Sequence, residues 1–150
     1  MKQTISLEKL LNKARKYCYR SEKCSFDVLN ILFRWRATSA QSEKIVQLLI
    51  DENLVNDLRY AKLYVMGKFK LNKWGRLKII HYLKNKKIKD TYISQSIAQI
   101  NEEEYLQLLR EILDKKRVTL QCNSEYELKS KLFQFAFSKG FEKNIIMQKL

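Results

Sequence analysis

The chain has 150 residues, which is enough for one domain of ordinary size or for a few small helical units. With 45% apolar and 31% charged residues it can form a folded core, so the composition argues against intrinsic disorder. It has no proline and only three glycines, which argues against β-sandwiches, barrels and nucleotide-binding α/β folds and predicts an all-α chain. The net charge of +14 favours a polyanionic partner.

Helical patterns occur along the whole chain. Ser6 is the predicted N-cap of the first helix, which carries apolar residues on one face. The second helix is predicted to have Ser25 as its N-cap and to run through Trp35. The third helix contains the apolar residues of the segment 45–50 and is expected to stop near Asn53.

Six further helices follow from the same signals. Acidic residues in the first turn of the seventh helix suit the helix dipole, and a Ser-x-x-Glu capping box opens the eighth. The predicted features are Asp57 as cap of the fourth helix, Lys73–Lys86 as the fifth, Asp90 as cap of the sixth, Asn101 or Glu102 opening the seventh, Ser124 capping the eighth, Gly140 ending it, and Glu142–Leu150 as the ninth.

Nine short helices suggest a threefold repeat, and one alignment of the apolar positions supports it. The shared spacing places two positions on a second helix, one in a turn and two on a third helix. The aligned residues are Val28, Leu32, Ala37, Ser42 and Val46, then Ile79, Leu83, Ile88, Ile93 and Ile97, then Leu132, Ala136, Phe141, Ile146 and Leu150. We predict three tandem three-helix repeats over residues 1–56, 57–100 and 101–150. Neighbouring repeats would stack into an elongated, curved array.

The positive charge is concentrated in one segment. Residues 1–57 hold ten basic and seven acidic residues, and residues 90–150 hold nine of each. Residues 58–89 hold eleven basic residues and no acid. A patch of one sign attracts a polyanion, so nucleic acid is the first candidate partner, an acidic protein groove the second and an anionic membrane the third.

The fifth helix carries this charge beside apolar positions. Lys73, Arg76, Ile80, Lys84 and Lys87 recur at helical spacing and are predicted to share one basic face. Arg59, Lys68 and Lys70, on or after the preceding helix, extend the same basic surface. Trp74, at the start of the helix, either stacks on an exposed base or fills the seam between two helices.

Catalytic, metal and targeting signals are weak throughout the sequence. The single histidine, His81, and the scattered Cys18, Cys24 and Cys122 have no spacing typical of a zinc site or a nucleophile–base pair. Glycine-rich phosphate loops are absent, and the N-terminal segment lacks the apolar core of a signal peptide. We therefore expect a cytoplasmic non-enzyme that has no cofactor, no metal and no membrane contact.

Two stretches resemble the central signature of the RecX family, the bacterial regulators of the RecA recombinase. The first is DLRYA, in which Asp57, Arg59, Tyr60 and Ala61 match. The second is KWGRLKI, with a leucine four residues beyond its end. The matching residues there are Lys73, Gly75, Lys78, Ile79 and Leu83. The chain departs from the family pattern in two places, with Arg76 where proline is frequent and Lys87 where a glycine often precedes Ile88.

The resemblance implies a monomeric protein of tandem three-helix repeats that binds RecA and its filament on single-stranded DNA. It further implies inhibition of filament growth, ATP hydrolysis, strand exchange and co-protease activity, and so a role in DNA repair, recombination and the SOS response. No catalytic residue and no small-molecule substrate is implied. We assign contacts with RecA or with DNA phosphates to the basic face and its aromatic anchor: Arg59, Lys68, Lys70, Lys73, Trp74, Arg76, Lys78, Lys84, Lys86 and Lys87.

Two other functions are compatible with the same residues. A free-standing helix-turn-helix-like regulator would bind duplex DNA through base contacts, although the basic helix offers mainly lysine rather than the Arg, Asn and Gln that recognise base edges. A helical adaptor without a role in nucleic-acid binding would keep its partner after the basic segment is neutralised.

Overall fold

The computed structural model describes residues 5–150, and these residues form nine α-helices and no β-strand. The predicted all-α repeat fold is therefore confirmed. The helices are α1 (Leu7–Arg20), α2 (Ser25–Arg34), α3 (Ser39–Asp51), α4 (Asp57–Lys70), α5 (Arg76–Asn85), α6 (Asp90–Ile97), α7 (Glu102–Thr119), α8 (Glu125–Ser138) and α9 (Lys143–Lys149). We call α1–α3 the first unit, α4–α6 the middle unit and α7–α9 the last unit. The most extensive helix–helix contacts lie within these units.

Three of the six predicted N-caps, Ser6, Asn101 and Ser124, are confirmed by their hydrogen bonds. The Ser6 hydroxyl accepts from the Lys9 amide at 3.3 Å, and the Asn101 side chain accepts from the Glu104 amide at 3.0 Å. Asn53 has a φ of +60° directly after α3, as expected of a helix stop. Ser124 caps α8, but the reciprocal half of its capping box is displaced, since the Glu127 carboxylate accepts from the Asn123 amide.

Three predicted caps are wrong by one residue. Ser25, Asp57 and Asp90 are the first residues of their helices, and the N-caps are Cys24, Asn56 and Lys89. At α4 the Asn56 side chain takes the cap, accepting from the Arg59 amide at 2.9 Å. The Asp57 carboxylate instead accepts from the Ser25 amide of the first unit at 2.8 Å.

The fifth helix is shorter than predicted. Lys73 has a φ of +58°, which no right-handed helix accommodates, and Gly75 is the N-cap. At the other end Lys86 is the C-cap, and Lys87 again has a φ of +58°. The prediction that Lys73 and Lys87 belong to one helical face with Arg76 is therefore wrong, because both lie in turns that flank α5.

The three units repeat in the buried positions as well as in the helices. The two aligned positions on the second helix of each unit are fully buried, and the last aligned position is half-buried in all three units. Ser42, which interrupts the apolar pattern, is only 9% exposed and occupies the place that Ile93 and Ile146 fill in the other units. The alignment thus reflects a repeated packing arrangement.

The turn between the second and third helices repeats in backbone geometry. Arg36, Lys87 and Gly140 are equivalent in the alignment, and their φ angles are +62°, +58° and +100°. In each turn this residue donates its amide three residues back, and the next residue donates five residues back. This pattern is a Schellman motif, which ends a helix with one left-handed residue.

Two hydrophobic cores lie along the chain. Residues of α1–α3 form one core, to which Val55 also contributes. Residues of α4–α9 form a second, continuous core, which Cys24 of the first unit joins. The predicted stacking of neighbours thus produces a shared apolar core for the middle and last units, whereas the first unit largely has its own.

The middle and last units also meet through two glycines. The Gly75 amide donates to the Lys139 carbonyl at 2.8 Å, and the Leu77 amide donates to the Gly140 carbonyl at 2.9 Å. A Cβ atom on Gly75 would lie 2.3 Å from the Gly140 carbonyl carbon. Only glycine permits this approach, so the junction fixes where α5 begins.

Candidate nucleic-acid interface

The basic residues of the middle unit fall into two groups. Three of the eleven form ion pairs with carboxylates of other units: Arg59, Arg76 and Lys86. The other eight have no carboxylate within 4.0 Å among residues 5–150: Lys62, Lys68, Lys70, Lys73, Lys78, Lys84, Lys87 and Lys89. The uncompensated charge of this unit is therefore carried entirely by lysine.

Arg59 joins the first unit to the middle unit. Its Nε lies 2.8 Å from the Glu22 carboxylate, and its guanidinium also donates to the Asn53 carbonyl at 3.1 Å. Because that carbonyl belongs to the turn after α3, Arg59 ties down the link between the two units. We predicted Arg59 as a partner contact, but its donors are engaged within the chain.

Arg76 is the most enclosed of the three paired cations, with 18% of its side chain exposed. Its guanidinium lies 3.9 Å from the centre of the Tyr105 ring and pairs with Glu142 at 2.7 Å and with Glu102. Burial lowers the pKa of Arg76, but the neighbouring Glu142, Tyr105 and Glu102 together more than offset this, and the pKa is raised. The hydroxyl of Tyr105 accepts from the Arg76 amide at 2.9 Å and donates to Glu142.

Lys86 reaches back to the first unit. Its ammonium group lies 2.6 Å from the carboxylate of Asp27, and this hydrogen bond raises the pKa of Lys86. Asp27 is more enclosed than Lys86, with 12% of its side chain exposed against 38%. Lys86 therefore neutralises a largely buried acid, and it adds little to the free charge of the surface.

Trp74 lies in a cluster of cations and aromatic rings. The ammonium groups of Lys68 and Lys78 lie 4.8 and 4.4 Å from the centre of its ring. The ring of Tyr82 packs against Trp74 with a centroid separation of 5.1 Å and an interplanar angle of 36°. Trp74 is half-buried, and 43% of Tyr82 is exposed. Trp74 thus fills part of a seam and also supports two lysines.

The remaining predicted lysines are exposed. Lys70 ends α4, Lys73 follows in the link, Lys84 lies on α5 and Lys87 is in the turn after it. Lys84 also borders a groove of about 280 Å³ between α5 and α6, which is lined by Ile80 and Ile93. The basic surface is therefore built from a helix end, a link, a helix and a turn.

Sequence reasoning missed Lys62, Lys89 and Tyr82. Lys62 and Lys89 are exposed and belong to the same acid-free segment, so the charge count could have identified them. Tyr82 could be assigned only from its contact with Trp74. The acids that neutralise Arg59, Arg76 and Lys86 lie between 26 and 66 residues away along the chain, and no local pattern announces them.

Within residues 5–150 no group of three or more His, Cys, Asp or Glu side chains is arranged to hold a metal ion. In the same range, none of the helices combines the length and apolar composition that crossing a bilayer requires. The three cysteines are free, and burial raises the pKa of Cys24 to about 12, so its thiol is a poor nucleophile. The lysine surface is the feature of this molecule with the clearest binding chemistry.

Comparison with known families matches two parts of the chain. Residues 56–97 match the family model described as RecX, second three-helix domain, and residues 102–150 match RecX, third three-helix domain. Together these matches cover more than half of the chain. The boundaries of the two matched ranges lie within one residue of those of the middle and last units.

Curated relatives align along most of the chain. The proteins named regulatory protein RecX from Bacillus thuringiensis (strain Al Hakam), Bacillus cereus (strain AH187) and Bacillus anthracis (strain A0248) are each 24% identical to it over 140 residues. The alignment covers 93% of this chain and 52% of each relative. The chain thus spans about half the length of these relatives.

Two solved structures share the fold. A crystal structure of regulatory protein RecX superposes with a TM-score of 0.88 at 20% identity, covering 95% of this chain and 70% of that one. The crystal structure of RecX from Lactobacillus salivarius gives a TM-score of 0.85 at 23% identity, covering 95% and 93%. The helical arrangement of this chain is thus found, over 95% of its length, in known crystal structures.

Proposed function

The chain belongs to the RecX family, and from this premise we propose that it is a non-enzymatic regulator of the RecA recombinase. In this proposal it binds RecA and the RecA filament on single-stranded DNA as a monomer in the cytoplasm. Binding limits filament growth and thereby lowers ATP hydrolysis, strand exchange and co-protease activity. The protein would in this way moderate DNA repair, recombination and the SOS response.

The observation that carries the proposal is the set of eight lysines in the middle unit that have no carboxylate within 4.0 Å in the part of the chain that the structure describes. The first and last units place acids close to several of their cations, as in the pairs Arg15–Glu52 and Lys131–Glu127. The middle unit has no acid of its own between residues 58 and 89. Such a surface attracts a polyanion over a distance of about 10 Å at moderate salt. A recombinase filament offers DNA phosphates and protein carboxylates side by side.

The ion pairs within the chain support a narrower proposal for the residues that make this contact. We propose Lys70, Lys73, Lys84 and Lys87 as the main electrostatic contacts, together with Lys68 and Lys78 beside Trp74. Arg59, Arg76 and Lys86 contribute indirectly, because their ion pairs hold the middle unit between its neighbours. Substituting these three residues would disturb the fold as well as the surface.

The test is a titration of this protein into a RecA ATPase assay on single-stranded DNA. The variant carries Lys73→Glu, Lys84→Glu and Lys87→Glu. The matched control carries Lys115→Glu, Lys129→Glu and Lys143→Glu, which produce the same change of net charge at exposed sites of the last unit. We expect wild type and control to suppress hydrolysis at well below one copy per recombinase monomer, and the variant to require at least a tenfold higher concentration.

Equal suppression by all three proteins would refute the role of the lysine surface. If no protein affects hydrolysis but wild type binds duplex DNA with a steep salt dependence, the proposal fails and the chain acts as a free-standing duplex-binding protein.

A further inference from the structure

We propose that Lys68, Trp74, Lys78 and Tyr82 form a nucleotide-binding subsite for single-stranded nucleic acid. Below we call these four residues the Trp74 cluster. In it the two ammonium groups bind backbone phosphate, and a base stacks on the exposed face of Tyr82, which Trp74 supports from behind. This inference rests on the proposed function and assigns a specific ligand to one part of its basic surface.

The two lysines of the Trp74 cluster are placed to bind an anion from outside the chain. Both ammonium groups lie within 4.8 Å of the same ring centre, so they cannot be more than about 9 Å apart. No carboxylate among residues 5–150 lies within 4.0 Å of either group. Two like charges no more than about 9 Å apart repel, and a phosphate bound by both would relieve the repulsion. The Trp74 ring, with the Tyr64 ring 5.4 Å from Lys68, compensates them only in part.

The aromatic pair provides the second element of the subsite. Tyr82 is 43% exposed, and its ring contacts that of Trp74 at 5.1 Å and that of His81, whose ring is 5.6 Å away and nearly perpendicular. An aromatic ring fixed in this way can stack on a base at little entropic cost, because its orientation is already set. Base–aromatic stacking is tolerant of sequence, as a filament regulator requires.

The combination distinguishes single strands from duplexes. A phosphate can reach the two lysines from either kind of nucleic acid, but the faces of bases in a duplex are already stacked on one another. Only a single strand can turn a base onto Tyr82 while its phosphate lies at Lys68 and Lys78. The subsite therefore predicts a preference that a plain lysine patch would not produce.

The experiment measures binding to a fluorescein-labelled oligo(dT) of 15 nucleotides and to an abasic strand of the same length, without recombinase. The variants are Tyr82→Ala, Tyr82→Phe, Lys68→Gln and Lys78→Gln. Two exposed residues outside the Trp74 cluster provide matched controls, Tyr126→Ala on α8 and Lys62→Gln on α4. Thermal unfolding followed by circular dichroism verifies that each variant is folded.

We expect Tyr82→Ala to weaken binding of oligo(dT) by about tenfold and to leave binding of the abasic strand unchanged. Tyr82→Phe and Tyr126→Ala should bind like wild type. Lys68→Gln and Lys78→Gln should weaken binding of both strands, and each should lower the salt slope by about 0.7. Lys62→Gln should have a smaller effect on affinity than either of them.

Equal effects of Tyr82→Ala on the two strands, or none on either, would overturn base stacking at this site. Lysine variants that match Lys62→Gln would overturn the phosphate site. Because RecA is absent, either failure leaves the recombinase assay as an independent test of the proposed function. Conversely, a strand-dependent loss in Tyr82→Ala would support the subsite even if RecA hydrolysis is unaffected.

Discussion

The two junctions between units are built from equivalent elements but held by different chemistry. Between the first and middle units, apart from the burial of Cys24 in the later core, the contacts run through polar side chains: Ser25–Asp57, Lys86–Asp27 and Arg59–Glu22. Between the middle and last units Arg76 also pairs with Glu102 and Glu142, but here backbone meets backbone at Gly75 and Gly140, and an apolar core continues across the boundary. The same three-helix fold can therefore be joined mainly by polar side chains or by ion pairs combined with close packing.

The alignment shows why the junctions differ. The residue equivalent to Gly75 in the first unit is Cys24, and the residue equivalent to Gly140 in the middle unit is Lys87. Both replacements carry side chains, so the first junction cannot close by the glycine contact of the second. Polar groups around it supply the attraction instead. The comparison predicts that the second junction is less sensitive to salt than the first and depends more on shape, whereas the first depends more on charge.

The largest effect is expected from Gly75→Ala. The new Cβ would lie 2.3 to 2.4 Å from the backbone of Gly140 and Phe141, and backbone cannot move aside as a flexible side chain does. We expect the free energy of unfolding to fall by about 3 kcal/mol. Urea titration followed by circular dichroism measures it.

The control for this substitution is Gly67→Ala. Gly67 lies within α4, and its Cβ would meet no atom within 4 Å, so the change should raise stability by about 1 kcal/mol. Similar stabilities for Gly75→Ala and wild type would contradict close packing at the second junction.

The next largest effect is expected from Tyr105→Phe, which removes a fully buried hydroxyl from the Arg76–Glu142 network. Leaving the Arg76 amide without its acceptor should lower the free energy of unfolding by about 2 kcal/mol at pH 7. Chemical denaturation of wild type and variant between pH 7 and 11.5 measures both the loss and its pH dependence.

The sign of that dependence follows from the pKa of Tyr105, which burial and the hydrogen bond to Glu142 raise above the ordinary value near 10. The folded protein keeps this proton above pH 10 and the unfolded chain loses it, so stability falls as pH rises through this range. Tyr105→Phe should remove up to about 1.4 kcal/mol per pH unit of this fall. If the free energy of unfolding falls with pH above 10 as steeply in Tyr105→Phe as in wild type, folding does not raise the pKa of the Tyr105 hydroxyl.

A smaller effect is expected from Asp27→Asn at the first junction. The amide oxygen can still accept from the Cys24 amide, so the substitution mainly removes the charge that pairs with Lys86. Because Lys86 is 38% exposed, the loss should be about 1 kcal/mol or less, and 1 M salt should reduce it further. Denaturation at 0.1 and 1 M salt tests this. A loss as large as that of Tyr105→Phe, or one insensitive to salt, would remove the distinction between the junctions.

The smallest effect is expected from Lys87→Gly, and it should be stabilising. Lys87 has a φ of +58°, where a side chain is strained, and glycine should raise the free energy of unfolding by up to about 1 kcal/mol. Lys84→Gly removes the same charge from within α5 and should lower stability by up to about 1 kcal/mol. A higher melting temperature for Lys87→Gly and a lower one for Lys84→Gly would confirm the backbone strain at Lys87. Shifts in the same direction would contradict it.

Sequence reasoning performed best where the signal was local and periodic. Apolar spacing and composition predicted an all-α repeat, and the charge count found the middle unit. The caps at Ser25, Asp57 and Asp90 were misplaced by one residue because two adjacent residues could each begin the helix, and only a distant partner decides between them. The Asp57 carboxylate, for example, accepts a hydrogen bond from the amide of Ser25, which is 32 residues away, and does not cap its own helix.

The sequence identified the segment that contains the candidate site, but not which of its residues form the exposed basic surface. Arg59, Arg76 and Lys86 resembled free cations in the sequence, because the acids that pair with them belong to other units. Lys73 and Lys87 fitted a helical spacing, but their positive φ angles place them in turns. Neither an ion pair between units nor a lysine with a positive φ is marked by its residue type, so the lysines with and without an acidic partner among residues 5–150 could be separated only in three dimensions.

The paired glycines also limit how the array could have grown by duplication. If the middle unit were duplicated in tandem, Lys87 of the second copy would take the place that Gly140 occupies beside Lys78 of the first copy. A Cβ atom there would lie 2.4 Å from the Cβ of Lys78. Such an insertion would require a lysine-to-glycine change at the same time. Modules of this kind are thus not freely interchangeable. A recombined or engineered array must keep matched pairs of residues, in which one residue comes from each side of a boundary.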